Sequence, residues 1–243
     1  EYYYAQLAPG TNMMWFAKLN RINAFNGPVE IIVDGLPEGV TAEPLTIPEG
    51  MIHGAIILKC ASDAKINASL VRVSGRATIA DSGGHEREVV RNGRVTCEQQ
   101  SSGGGQARWQ IATQIVGVTK QLDLLSVIAE PSEITLKPGG KQELKVRIER
   151  QDGFADPVTL AMSFDYFTSK FGEQLPPGVT VGKASKLRLA GKVLEGTVIL
   201  EASDKALVVE KLPVAVLARV SITFSITTNY ASNPVYLTVL PKE

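Results

Sequence analysis

The sequence predicts an all-β protein made of two tandem immunoglobulin-like antiparallel β-sandwiches. Short segments rich in β-branched residues, such as GTVILEA (196–202), recur along the chain, and Gly, Pro, Asn and Asp separate them. No sustained helical pattern is present, and much of the chain is repeated in the same order. About seven short strands in each copy are typical of a two-sheet sandwich. The antibody-type Cys…Trp…Cys spacing is missing, so the prediction concerns architecture and not kinship with antibodies.

The repeat is visible in short matching segments. The hexapeptides LPEGVT (36–41) and LPPGVT (175–180) are nearly identical, and the ungapped windows 7–29 and 136–158 share seven identities. Further similar segments follow in the same order, namely 53–64 with 195–206, 73–79 with 216–222, and 122–131 with 235–243. A duplicated domain explains this order. We therefore expect domains at residues 1–129 and 130–243.

The repeated hexapeptide is interpreted as a turn between strands. Its Pro restricts φ, its Gly allows the positive φ that a tight turn needs, and the flanking Leu and Val are expected in the core. A binding loop is the alternative interpretation of this motif.

Period-two alternation identifies which strand faces are buried. In LKVRI (144–148), apolar residues alternate with Lys145 and Arg147, as in a half-buried strand. The alignment of the copies puts Trp15, Ala17 and Leu19 on the equivalent core-facing side. On the opposite face the copies differ, since the first has Met14 and Phe16 where the second has charged residues. An exposed apolar face predicts a contact surface. It would be covered by another part of the protein or by an external partner.

The first copy carries extra sequence at about residues 80–118. RNGR (91–94) matches a type I′ hairpin turn, and SSGGG (101–105) is typical of a flexible loop. The chain has two cysteines, Cys60 at a strand end and Cys97 in this insertion. A disulfide bridge between them would attach the insertion to the sandwich, and two free thiols are the alternative.

The second copy is expanded by an aromatic loop at residues 163–174. This loop contains Phe164, Tyr166, Phe167 and Phe171, and Asp165 and Lys170 supply polar groups. Exposed aromatic faces stack on sugar rings or anchor protein partners, which makes this loop a candidate contact site. The alternative is a small apolar cluster that caps the end of the sandwich.

Composition narrows the classes of partner. Lys and Arg total 25, and so do Asp and Glu, which argues against nucleic acid or an anionic membrane surface as a partner. No apolar run approaches the ~20 residues that a membrane span needs. The sequence starts at Glu1 without a signal peptide, so we expect it to be a piece of a longer protein.

Motifs for catalysis or metal binding are not found. His53 and His85 lie outside any zinc-binding or HExxH spacing, and neither GxSxG nor a phosphate-binding loop occurs. Asp63 and Asp204 recur in the ASD segments of the two copies, where a turn role is favoured over calcium binding. We expect no catalytic residues, no cofactor and no metal.

Several segments also resemble a known group of proteins. They are Gly153-Phe154, Pro157-Val158, Leu175 to Val179, Pro28-Val29, Leu36 to Val40, Ile47-Pro48 and Pro234 to Val239. These segments look like the tandem Ig-like modules of large extracellular proteins of planctomycete-type bacteria, which often also carry bacterial pre-peptidase C-terminal domains. The resemblance implies a non-catalytic module that is secreted, surface-attached or periplasmic.

The sequence thus predicts a structural or interaction module, a spacer or adhesive repeat, of a larger bacterial secreted or envelope protein. Its partners would be other domains of the same polypeptide, or an extracellular protein or glycan, with no nucleic acid and no membrane insertion. A carbohydrate-binding module that uses the loop at 163–174 is one alternative. An accessory domain of a secreted hydrolase is another.

Overall fold

The computed structural model describes residues 5–80, 83–100, 106–121, 123–166, 169–221 and 227–242. The described residues form β-strands joined by turns and loops. They include no helix, and therefore none that is long and apolar enough to cross a membrane.

Within the described residues, the first part of the chain contains eleven strands. They are β1 (Ala5–Leu7), β2 (Asn12–Lys18), β3 (Val29–Asp34), β4 (Val40–Ala42), β5 (Leu45–Ile47), β6 (His53–Cys60), β7 (Asn67–Ala80), β8 (Glu86–Asn92), β9 (Val95–Gln100), β10 (Gln106–Ile111) and β11 (Gln114–Val118).

The described residues of the second part form thirteen strands. They are β12 (Leu124–Glu130), β13 (Glu133–Leu136), β14 (Lys141–Arg150), β15 (Val158–Ala161), β16 (Phe164–Tyr166), β17 (Ser169–Gly172), β18 (Val179–Val181), β19 (Arg188–Leu189), β20 (Glu195–Ala202), β21 (Val209–Val214), β22 (Leu217–Ser221), β23 (Thr227–Ala231) and β24 (Val235–Val239).

Each part is an immunoglobulin-like sandwich, as predicted. In the first, the sheet β1-β11-β7-β3-β5 packs on β2-β6-β4. In the second, β12-β14-β20-β18 packs on strands ordered β13-β24-β21 and β19-β15-β22-β23. Pairing is antiparallel except for β1 with β11 and β13 with β24. The same parallel pair in both halves supports the duplication.

The strand pairing shows that the last strand of the first sandwich is not the one expected from the repeat. The expected boundary at residue 129 assigns segment 122–131 to the first copy, but β12 pairs with β14 and so belongs to the second sandwich. The counterpart of β24 is β11, because β11 pairs with β1 as β24 pairs with β13. The similarity between 122–131 and 235–243 therefore does not reflect equivalent strands. Strands of either sheet alternate in the same way, so periodicity could not separate them.

The inserted region is smaller than residues 80–118. Strand β8 continues the pairing of β7, and β11 is a core strand in which Val116 and Val118 are fully buried. The insertion proper is the hairpin of β9 and β10, whose connection at 101–105 lies outside the described residues. The type I′ turn expected at RNGR is not formed. Asn92 and Gly93 lack the positive φ angles it requires, and the Gly93 N–H instead donates to the Val73 carbonyl at 2.7 Å.

The two LPxGVT motifs form the same turn. Val40 N–H donates to the Pro37 carbonyl at 3.0 Å, and Val179 N–H donates to Pro176 at 3.0 Å. The central glycines, Gly39 and Gly178, have φ of +83° and +86°, which is the type II pattern. Each turn begins a short strand, β4 or β18, with its Val buried in the core. The turn interpretation is confirmed.

Identical Arg and Phe positions in the two copies form a second shared feature. Arg21 donates to three carbonyls, at 2.9 Å to Met51, 2.6 Å to Gly27 and 3.0 Å to Pro48, and its guanidinium lies over the Phe25 ring. Its counterpart in the second copy makes two such bonds and stacks in the same way on Phe154. Arg21, just after β2, and Arg150, at the end of β14, thus bind backbone carbonyls in or next to strands of the opposite sheet. Sequence comparison found the identities but gave no role for them.

Candidate functional site

The apolar outer face of β2 is covered by the second sandwich. Met14 is only 6% exposed, and it shares an apolar cluster with residues of both halves. The cluster contains Met14, Ala55, Ile57, Ala215, Leu217 and Ala231, with Phe16, Ala161 and Phe164 at its margin. The opposite, core-facing side of β2 holds Trp15 and Ala17, and Leu19 directly after β2 also packs against the core, as the alternation predicted. The contact expected at Met14 and Phe16 is therefore made within the chain.

The two sandwiches are also joined through the backbone. Asn12 at the start of β2 pairs with Ala231 at the end of β23. This pairing links strands of both halves into one seven-stranded sheet, ordered β19-β15-β22-β23-β2-β6-β4. Backbone pairing has a defined geometry, so it restricts rotation of one sandwich on the other more than side-chain contacts alone would.

A polar clamp lies beside the apolar cluster. The Tyr236 hydroxyl on β24 donates a hydrogen bond to the Glu43 carboxylate, which follows β4. The Lys59 ammonium on β6 donates to the other oxygen of Glu43 at 2.6 Å. Glu43 is 9% exposed and has two partners, as a charge removed from water requires. We name this set the junction clamp.

The junction clamp shifts the pKa values of both Glu43 and Tyr236. Burial alone would raise the pKa of Glu43, but the hydrogen bonds from Lys59 and Tyr236 outweigh it and hold the pKa below its usual range. The bond to Glu43, together with burial and nearby carboxylates, raises the pKa of Tyr236 to about 12. The clamp is thus charged at Glu43 and neutral at Tyr236 over the ordinary pH range.

The aromatic loop forms a small hairpin of β16 and β17. The Phe164 and Phe171 rings are tilted by 58° with centroids 6.3 Å apart, and the Arg219 guanidinium lies 5.0 Å from the Phe164 ring centroid. Arg219 also donates to the Asp165 carbonyl at 3.1 Å, which attaches the hairpin to β22. Phe164 is half-buried, whereas Phe171 is 52% exposed.

The hairpin contacts the first sandwich. Gly172 at the end of β17 is buried against the ring of Phe16, and a Cβ atom built at Gly172 would overlap that ring. The two sites singled out from the sequence, the Met14–Phe16 face and the aromatic loop, therefore meet at the junction. Of the other predicted contact residues, the Asp165 side chain is exposed, while Phe167 and the side chain of Tyr166 lie outside the described part of the chain.

A buried glutamine that the sequence analysis overlooked supports the hairpin. Gln174 is fully buried, and its amide donates to the carbonyls of Met162 at 2.9 Å and Ala215 at 2.7 Å. Its carbonyl accepts from the Ala215 N–H at 2.8 Å. Gln174 thereby satisfies the N–H and carbonyl of Ala215, which lies in the short break between β21 and β22. A polar residue in a loop gives no signal that it will be buried, so sequence alone could not identify this role.

The cysteine bridge considered above is not formed at Cys60, which is a free, buried thiol. It lies at the end of β6 and its side chain points into the core, where burial raises its pKa. Cys97 lies on the β9–β10 hairpin opposite Trp109, and its side chain is outside the described residues. Among the described strands, β9 and β10 pair only with each other, so no strand pairing holds the hairpin against β6.

The histidine on β6 lies near charged residues of the second sandwich, Glu173 and Lys170. His53 lies at the start of β6, where burial lowers its pKa. Asp63 and Asp204 are exposed in equivalent turns, closed by hydrogen bonds from Ala64 to Ala61 and from Ala206 to Ser203. Within the described residues, no cluster of three or more His, Cys, Asp and Glu side chains could hold a metal ion.

Comparison with known proteins finds no matching family model and no matching curated protein. Among solved structures, the D0-D1 domain of intimin has 12% identity and a TM-score of 0.28, covering 97% of this chain and 95% of that one. The titin domains z1z2, solved in complex with telethonin, have 10% identity and a TM-score of 0.24, covering 99% and 93%. The sialic acid binding region of a Streptococcus sanguinis adhesin has 8% identity and a TM-score of 0.28, covering 98% and 76%. The fold assignment rests on this chain's own strand pairing.

Proposed function

We propose that this protein is a non-catalytic structural and interaction module in which two sandwiches form one rigid unit. The observation that carries this proposal is the junction. An apolar cluster, a backbone pair between Asn12 and Ala231 and the junction clamp all connect the same two halves. Contacts between domains of one chain are usually polar and allow relative motion, whereas this junction combines an apolar cluster with backbone pairing. A unit of this kind holds whatever it connects at a set distance and orientation.

A secreted, cell-surface or periplasmic location belongs to the same proposal. The resemblance of the repeated segments to modules of large bacterial extracellular proteins supports it. Partners would then be neighbouring domains of the same polypeptide, or an extracellular protein or glycan. An accessory role beside a secreted hydrolase differs only in what the parent protein does, and no feature of the junction favours it.

Rigidity can be measured directly as a distance distribution. Spin labels are placed on the exposed turns at Asp63→Cys and Asp204→Cys, in a background of Cys60→Ala and Cys97→Ser. We expect one narrow distance peak by pulsed electron resonance. The matched control carries Met14→Glu and Phe16→Lys, which are the residues that the second sandwich has at these strand positions. Because a sandwich of this kind already tolerates them, the control should stay folded, judged by circular dichroism, and broaden the peak. A broad distance distribution in the labelled protein that keeps Met14 and Phe16 would contradict the proposal.

Carbohydrate binding is a second candidate, and one observation favours it. Phe171 is 52% exposed on the hairpin, with Phe164 behind it, so one aromatic ring is open for stacking on a sugar. The test is retention on a panel of soluble and insoluble polysaccharides. Retention by one glycan class that Phe171→Ala abolishes, and that Trp109→Ala on the β9–β10 hairpin leaves unchanged, would support this function. If no polysaccharide retains the protein, carbohydrate binding is rejected and the structural module is the only function proposed.

A further inference from the structure

A surface of the first sandwich is equivalent to the surface through which the second sandwich makes the junction. Leu70 on β7 pairs with Ile115 on β11, just as Pro213 on β21 pairs with Tyr236 on β24. Ile115 and Tyr236 occupy the same place in their strands. Each lies three positions before the valine that pairs with an equivalent leucine, Val118 with Leu7 and Val239 with Leu136. In the second sandwich this surface, through Tyr236, contacts the first sandwich.

In the first sandwich the equivalent surface is open. Leu70 is 62% exposed and Ile115 is 43% exposed, so two large apolar side chains lie side by side on the sheet. Arg72, the next outward-facing residue along β7, is also exposed. We propose that this surface, centred on Leu70, Ile115 and Arg72, docks onto the second sandwich of another copy of this protein.

The docking site on the other copy follows from the same equivalence. At the junction, the second sandwich covers β2 and β6 at the pair Met14 and Ile57. The matching pair in the second sandwich is Glu143 on β14 and Ile199 on β20. Gly182 confirms the register, because its N–H donates to the Ile199 carbonyl as Glu43 N–H donates to Ile57. Glu143 is exposed and Ile199 is half-buried.

The two surfaces differ from the junction surfaces in a complementary way. At the junction, Ala215 of one sandwich and Met14 of the other share an apolar cluster. Arg72 occupies the strand position of Ala215, and Glu143 occupies that of Met14. The apolar pair at the junction thus corresponds to an oppositely charged pair here, with Leu70 beside it as an apolar neighbour.

A second pair of opposite charges follows the same pattern. Asp34 is the cross-strand partner of Arg72, and Lys145 lies beside Glu143 on the outer face of β14. The formal net charge of the chain is zero, so no overall repulsion opposes contact between copies. Charge complementarity of this kind determines orientation more than it adds affinity.

This contact would be head to tail, because different surfaces of the two copies meet. Such a heterologous contact joins copies in series, as a closed ring or as a linear row. Exposed charges replace the apolar cluster, so the contact should be weaker than the junction and sensitive to salt. The inference goes beyond the proposed function, since a rigid two-sandwich unit does not require contact between copies.

The test is sedimentation velocity of the whole chain, from about 10 µM to about 1 mM, in low and high salt. We expect association that increases with concentration and weakens roughly tenfold or more in ~0.5 M salt. Arg72→Glu and Glu143→Arg should each leave the protein monomeric, because each puts like charges opposite one another. An equimolar mixture of the two variants should associate again, since each then offers the charge that the other lacks.

Lys137→Glu, in an exposed turn, is the matched charge-reversal control and should associate like the unaltered protein. A protein that stays monomeric at about 1 mM in low salt would overturn the proposal. So would association that neither charge reversal reduces, or a mixture of the two variants that stays monomeric. None of these results affects the distance measurement across the junction, so failure of this inference is separate from failure of the proposed function.

Discussion

The phenol of Tyr236, on the last strand of the second sandwich, donates a hydrogen bond to the carboxylate of Glu43 in the first sandwich. The two residues are far apart in sequence and belong to different copies of the repeat. Lys59 holds the other carboxylate oxygen, so the pair is part of a three-residue network at the edge of the apolar junction.

Removing the hydroxyl should weaken the link between the sandwiches. Tyr236→Phe keeps the ring and deletes the hydrogen bond to a carboxylate, so we expect a loss of about 1–2 kcal/mol in the free energy of unfolding. Urea denaturation measures this loss. In a Glu43→Gln background the same change should cost clearly less, because the charged acceptor is gone. Equal losses in both backgrounds would show that the hydrogen bond does not stabilise the fold.

The junction clamp should give a pH window of stability. The folded-state pKa of Glu43 is lowered, so its contribution is present above the unfolded pKa and is lost as pH falls through the folded value. The folded-state pKa of Tyr236 is raised to about 12, so its contribution is present below the unfolded pKa, about 10, and is lost as pH rises toward 12. Thermal unfolding from pH 3 to pH 11 should show both limits. Tyr236→Phe should reduce the loss of stability at alkaline pH. An unchanged pH profile would contradict the role given to Tyr236.

Close contact between Gly172 and Phe16 should make the hairpin intolerant of a methyl group. Gly172→Ala places a Cβ atom in the Phe16 ring, so we expect about 1–3 kcal/mol of destabilisation. Combining it with Phe16→Leu should recover part of the loss. Gly117→Ala is the control, because its added Cβ would meet only ordinary contacts at 3.9 Å. If Gly172→Ala is as stable as the control, the hairpin does not pack on β2 in solution.

The equivalent arginines of the two copies, Arg21 and Arg150, should contribute differently to stability. Arg21 donates to three carbonyls, whereas Arg150 donates to two and its buried Nε has no hydrogen-bond partner. We therefore expect Arg21→Ala to cost about 2–4 kcal/mol, and Arg150→Ala to cost less. Chemical denaturation of the two variants compares them under the same conditions. A larger loss for Arg150→Ala would show that the carbonyl contacts are not what these residues contribute.

Predictions from the sequence succeeded where a local signal has one structural meaning. Gly39 and Gly178 follow a Pro-containing segment and precede a buried Val, and only a type II turn satisfies all three positions. Alternation in β14 identified its buried and exposed sides in the same way. The RNGR turn shows the limit, because a good hairpin signal is overridden when the Gly93 N–H pairs with β7 instead.

The sequence by itself determined that this protein is a duplication of an all-β sandwich, and that Met14 and Phe16 form an apolar face that needs a partner. Strand period and turn chemistry act within a few residues and can be read locally. Only the tertiary structure decided that the partner is the second sandwich and that the aromatic loop meets Phe16. It also decided that β12 begins the second copy and that Gln174 is buried. These outcomes depend on contacts between segments distant in sequence, where many pairings satisfy the same pattern and packing selects one of them.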